Sequence, residues 1–132
     1  DDHVHIKRVA TSRAASFVKV AVDTYRSGED VIAACKPLLY EFRTYTSRTI
    51  ALVKYHSELE YYIREALAPA PSRSVRRVDV YREEHQARVI VERGTIAQFL
   101  GRKGMNAAVA SKLTGYGLVL VDEGDLGKVG GA

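Results

Sequence analysis

The feature that most limits how this chain can fold is a repeat. "HIKRVA" (His5–Ala10) and "SVRRVDVY" (Ser74–Tyr81) each read as a strand, and "SFVKVAVD" (Ser16–Asp23) and "ARVIVER" (Ala87–Arg93) follow as second strands with near-strict alternation of β-branched residues. After each pair comes a helical pattern of roughly 25 residues, then a third strand, "TIALV" (Thr49–Val53) or "GLVLV" (Gly117–Val121). An offset of 69 places Ile6 on Val75, Val20 on Val89, and Val53 on Asp122, one place past Val121. The order predicts an α+β chain of two strand–strand–helix–helix–strand units, each a three-stranded sheet packed by helices on one face. The break between them is "ALAPAPSRS", Ala66 to Ser74, where Pro69 and Pro71 cannot continue a helix and the small polar residues after them pack little. The predicted partition is 1–69 for the first unit, 70–74 for a linker, 75–122 for the second unit and 123–132 for a Gly-rich, mobile tail.

Ahead of the break, "HSELEYYIREALAPA" predicts one further helix. Ser57 and Glu60 have capping-box spacing, and Leu59, Tyr62, Ile63, Ala66 and Leu67 make an apolar stripe at helical spacing that Pro69 ends. With 132 residues, 46% of them hydrophobic, the chain suits one ordinary domain or two small ones. No apolar run approaches the ~20 residues of a membrane span. The start at Asp1-Asp2 reads as a processed protein or an excised fragment, and the single cysteine, Cys35, as a reducing, cytosolic setting.

Charge is unevenly spread. Residues 1–68 balance at +1, residues 69–120 at +5, and the last twelve at −2. The basic second half predicts a polyanionic partner, with Arg93, Arg102, Lys103 and Lys112 the strongest candidates to lie along its path. Within that half, Ile96, Ala97, Phe99 and Leu100 form a short helix that must end at Gly101, and a second helix starts near Met105, presents Ala108, Val109, Lys112 and Leu113, and stops at Thr114-Gly115. The joint is Gly101-Arg102-Lys103-Gly104. Glycines at both ends allow a tight turn and a close backbone approach. The second helix points free N–H groups and a positive dipole end at the joint, and Arg102 and Lys103 add two charges there. Phosphate is the natural occupant.

A GxxG joint between two helices resembles that of K-homology (KH) domains, and the strand–strand–helix–GxxG–helix–strand order is that of their prokaryotic, type II variant. "LGRKGMNAAVASKLTGY" (Leu100–Tyr116), "IKRVA…VKVAV" (Ile6–Val22) and "YYIREALAPA" (Tyr61–Ala70) resemble the tandem KH region of the NusA family of transcription factors, over roughly residues 3–122. The resemblance implies that Gly101, Arg102, Lys103 and Gly104 contact a sugar-phosphate backbone, with Met105 beside them, and that Asn106 reaches a phosphate, ribose or base edge. It implies that Ile96, Leu100, Val89 and Val91 help wall an apolar groove for unpaired bases. The partner implied is single-stranded RNA, with RNA polymerase reached through the parent protein; the family's polymerase-binding and OB-fold domains are absent from this chain. No enzyme, cofactor, small-molecule substrate or membrane is implied.

The first unit departs from that pattern. Glycine is absent from Glu29 to Arg93, so the equivalent joint has no GxxG. Ser27 and Asp30 can cap its first helix, and Pro37 reads as the first residue of its second helix, leaving a helix–helix connector without a cradle. The first unit is therefore expected to act mainly as scaffold.

Other candidates read as structural. Six of eight tyrosines (Tyr25, Tyr40, Tyr45, Tyr55, Tyr61, Tyr62) fall in the first unit; packing at a core edge with the hydroxyl wet is favoured over a base-stacking platform. His3, His5, His56 and His85 lack metal-ligand spacing, Cys35 lies on an apolar helix face, and Glu83 and Glu84 sit in a hairpin turn with no converging partner for acid–base chemistry. RNA binding in transcription elongation, termination or antitermination is the leading expectation. The alternatives are a protein-interaction module on a KH scaffold, and a KH module on ribosomal RNA.

Overall fold

The computed structural model describes residues 4–14, 16–24, 30–43 and 48–130. In the first half, β1 (Val4–Thr11) pairs antiparallel with β2 (Phe17–Thr24), which pairs parallel with β3 (Thr49–Lys54). In the second half β4 (Val75–Tyr81), β5 (Gln86–Val91) and β6 (Gly117–Asp122) repeat that order and those directions. The offset of 69 holds in the strand register. Val9 faces Val20 as Val78 faces Val89, and a bulge falls between Ile6 and Arg8 in one sheet and between Val75 and Arg77 in the other. Phe17 pairs with Thr49, but Gln86 pairs with Gly117 instead of Leu118, so the second unit's crossover is one residue shorter.

Five α-helices occur among the described residues: α1 (Val31–Arg43), α2 (Leu59–Ala66), α3 (Ile96–Leu100), α4 (Met105–Thr114) and α5 (Glu123–Gly130). The alternation of β2 sends its two sides to different layers. Val20 and Val22 meet Val31, Ile32 and Cys35 of α1 in a small cluster. Phe17 and Ala21 join a larger core shared by both halves, with Ile63 and Leu67 from α2 and its end, Phe99 from α3, Val109 and Leu113 from α4, and Val89 and Val91 from β5. The middle strand β2 is thus packed on both sides, by α1 on one and by the core shared with the second unit on the other, while much of β1 stays exposed. Helix α4 packs on β1 and β2 as well as on β6. Its small residues Ala107 and Ala110 are buried, so it can lie close to both sheets, whereas Ala108 is exposed.

Several local expectations change. A single helix runs through the first unit's expected joint, with Pro37 inside it. Proline removes one backbone donor, yet its φ is helical, and without a glycine nothing turns the chain out. Asp30 caps α1 by accepting from the Ala33 amide (3.2 Å); Ser27 lies outside the described residues. The Ser57–Glu60 box does not form: Glu58 is the cap residue of α2, one place late, and Glu60 pairs with Arg64 at 3.3 Å. Residues 70–74 are not a loose linker, since Ala70 and Ser74 are buried and the Ser74 hydroxyl donates to Glu92 at 3.0 Å. The tail is helical over Glu123–Gly130; Asp122 and Glu123 accept from the Gly94 and Arg93 amides at 3.0 and 2.9 Å, which anchors its start.

Tyr62 is buried and its hydroxyl donates to the Leu113 carbonyl (3.3 Å), while Tyr55 packs against its ring at 5.0 Å between centroids. Tyr40 and Tyr61 are exposed, and Tyr25 and Tyr45 lie outside the described residues. No described helix is long and apolar enough to cross a membrane, and no metal-ligating cluster occurs among the described residues.

Candidate nucleic-acid interface

The chain leaves α3 at Gly101 with φ 73° and ψ 176°, a region open essentially to glycine alone. Lys103 (φ 55°, ψ 26°) and Gly104 (φ 72°, ψ 10°) then take left-handed conformations that deliver the chain into α4. Within this corner the Gly101 amide donates to Ala97, Gly104 to Gly101 and Met105 to Arg102, so the turn satisfies three of its own amides. The two glycines do different jobs. A Cβ on Gly101 would stand 2.6 Å from Asn106 Cβ and 3.0 Å from its backbone nitrogen, so the close approach there is to the chain's own Asn106. A Cβ on Gly104 would meet nothing within 4 Å, and this is the glycine that faces open space. Arg102 and Lys103 are exposed, and neither forms an ion pair among the described residues. Two exposed cations at the entrance to a ten-residue helix make an anion-attracting corner.

The remaining expected site residues separate. Met105 is half-buried at the corner, Leu100 is 40% exposed beside it, and Ile96 packs partly on the core. Val89 and Val91 are fully buried, so they belong to the core and not to a groove wall. Asn106 is also corrected. It is 5% exposed, and its Nδ2 donates to the carbonyls of Leu67 and Phe99, each at 2.9 Å. These carbonyls sit at the C-terminal ends of α2 and α3, where helices lack internal partners. Asn106 therefore staples two helix ends to the start of α4, and has no donor left for phosphate. Lys112 Nζ donates to the Thr11 carbonyl of the first sheet at 3.3 Å, away from the corner and across the two halves. Arg93 lies at the opposite end of α3, where its backbone bonds Glu123 and its guanidinium packs against the Gly124 position.

Lys19 is a structural residue that the sequence did not single out. It is fully buried on β2, and its Nζ donates to the carbonyls of Ala66 and Ala68, both at 2.6 Å, with the Phe17 ring centroid at 5.5 Å. The available signal is a lysine in the inward register of "SFVKVAVD", sharing a side with Phe17 and Ala21. Burial pushes its ammonium down to about 7. Together Lys19 and Asn106 take the carbonyls of Ala66, Leu67 and Ala68, one from each half, so the end of α2 is where the halves are locked together.

A mixed three-stranded sheet whose last two strands are joined by a helix, a GxxG corner and a second helix is the architecture of a KH domain, a class of nucleic-acid-binding fold. The chain belongs to the NusA-like second KH domain family, whose model matches residues 59–128, just over half of it. It is similar to the transcription termination/antitermination protein NusA of Rickettsia conorii, with 27% identity over 91% of this chain and 25% of that protein. It is also similar to NusA of Halalkalibacterium halodurans, with 28% identity over 98% of this chain and 34% of that protein. The chain thus spans about a quarter to a third of the length of these curated relatives. Among solved structures it resembles the one described as "Crystal structure of APE1850", with a TM-score of 0.58, 18% identity, and coverage of 89% of this chain and 88% of that one, a likeness of fold.

Proposed function

We propose that this chain is the RNA-holding part of a NusA-type transcription termination/antitermination factor. It grips single-stranded RNA by its sugar-phosphate backbone at Arg102, Lys103 and Gly104 and performs no catalysis. In this reading residues 1–69 are a KH unit without a cradle and residues 75–122 the unit that binds. RNA polymerase is engaged through other parts of the parent protein, in the cytoplasm, and the RNA held is the nascent transcript. The observation that carries the reading is the corner itself: two exposed cations without ion pairs among the described residues, at a glycine that opens on free space and leads into α4. The family match and the names of the relatives support RNA and transcription as the setting.

Salt titration tests it. Log affinity for a single-stranded RNA should fall linearly with log salt, and the double variant R102D/K103D should lower that slope by about 1.4, at ~0.7 for each single-strand phosphate that the protein ceases to neutralise. An unchanged slope and affinity in the double variant would reject the backbone grip.

A further inference from the structure

The loop from Glu92 to Thr95, between β5 and α3, is fastened by two carboxylates from the end of β6 and the start of α5. Glu123 Oε2 accepts from the Arg93 amide at 2.9 Å, and Asp122 Oδ2 from the Gly94 amide at 3.0 Å. The same residues open α5: Asp122 Oδ1 accepts from the Gly124 amide at 2.7 Å, and Glu123 pairs with Arg76 at 3.4 Å. We infer that Asp122 and Glu123 are positioning residues for the RNA grip. By holding the Arg93 and Gly94 amides they set the direction in which α3 delivers Arg102 and Lys103 to the phosphates. The inference rests on the RNA reading and deepens it.

Three observations carry it. Helix α3 has five residues, fewer than two turns, and its cap residue Thr95 makes no side-chain cap bond to it. Helices this short do not hold themselves together, and the Thr95 hydroxyl donates backward, to the Glu92 carbonyl at 2.6 Å, so α3 starts wherever the loop places it. The loop in turn depends on the two carboxylates. Its Glu92 and Thr95 amides donate to the backbone carbonyls of Ser74 and Glu92, which leaves Arg93 and Gly94 to Glu123 and Asp122. The far end of α3 is pinned separately, since Phe99 is fully buried and its carbonyl accepts from Asn106. A helix held at both ends has one direction. Freed at its start, it can swing about Phe99, and the corner that follows at Gly101 swings with it.

Position and charge make opposite demands here. Asp122 and Glu123 are anions on the unit that grips an anion, so charge alone predicts that removing them tightens RNA binding. Position predicts that removing them weakens it.

The test reads that sign by fluorescence anisotropy, with the intact chain and a randomised pool of twelve-nucleotide single-stranded RNAs. D122A/E123A removes both acceptors. It should weaken binding about fivefold and lower the salt slope by ~0.7, the worth of one single-strand phosphate contact at 0.1 M salt relative to 1 M. D122N/E123Q removes the charges but keeps an acceptor oxygen at each position, so it should bind at least as tightly as the wild type. Melting followed by circular dichroism shows that each variant is folded at the assay temperature, and a purely structural role would leave the salt slope alone. Should D122A/E123A not fold, G124A takes its place. A Cβ there would stand 2.9 Å from Asp122 Oδ1 and 3.0 Å from Arg93 Nε, displacing the Asp122 carboxylate with its charge kept. The expected loss is about twofold, half of one contact, and wild-type affinity in G124A would then reject the inference. If D122A/E123A binds as tightly as the wild type or more tightly, or if D122N/E123Q is equally weak, the positioning role is rejected; loss of binding in R102D/K103D would still uphold the RNA reading. If the wild-type chain does not bind the pool at all, the RNA reading falls and this inference with it.

Discussion

The two halves carry the same bulge in the same place, between Ile6 and Arg8 and between Val75 and Arg77, yet they leave their middle strands for different ends. After β5 the chain makes a five-residue helix, a left-handed corner and α4; after β2 the described part is one helix with Pro37 inside it. Sheet register depends on alternating apolar residues, which both halves retain. A corner with two cations and open space depends on two glycines, which only the second half has. A scaffold can thus be duplicated while its glycine corner is not. The half without that corner covers α4 and locks the end of α2 through Lys19.

The largest expected effect of this asymmetry is on RNA affinity. R102D/K103D should weaken binding on the order of a hundredfold, since two attractive phosphate contacts become repulsive; equal losses from charge changes in both halves would erase the asymmetry. Next come the two glycines. Gly101→Ala should cost about 3 kcal/mol in urea denaturation, combining the Asn106 clash with a positive φ. Gly104→Ala should cost about 1 kcal/mol, from φ alone. Equal costs would show that the corner does not press on its own chain.

Asn106→Ala strips donors from two helix ends and should cost about 2 kcal/mol, while the salt slope of RNA binding stays as it was. A lower slope would return Asn106 to the phosphate path. Lys19 gives a pH effect. Its folded pKa lies at about 7, below the ordinary 10.5, so between these values the unfolded chain holds a proton that the folded chain lacks. Stability therefore rises with pH across that window, and Lys19→Met should flatten the rise in urea midpoints measured from pH 7 to 10. The smallest effect is Lys36→Glu on α1, which should leave RNA affinity within twofold, and a large loss would mean that the first half has a phosphate site after all.

Much of the fold is legible in local pattern. The six strands, the stripe on α2, the stops at Gly101 and Gly115, and the duplication itself all rest on periodicity and on residues with narrow backbone preferences. The role of Pro37 is not legible, because proline is as compatible with a helix interior that tolerates one missing bond as with a first turn. Of the candidate site, the corner is legible because its glycines and charges are contiguous. Val89, Val91 and Asn106 are not, because whether a side chain faces a groove or a core depends on which distant surface covers it.

What the chain determined alone is therefore short-range: strand alternation, helix stops, and a corner where Gly101, Arg102, Lys103 and Gly104 stand in sequence. What only the folded molecule decided is long-range: that α4 is shared by two sheets, that Lys19 and Asn106 meet at the carbonyls of Ala66, Leu67 and Ala68, and that Phe17 and Gln98 line one cavity. The reason is physical. A backbone preference acts within a few residues, whereas burial and hydrogen bonding join whatever the packed layers bring together, here partners up to about a hundred positions apart, as with Lys112 and Thr11.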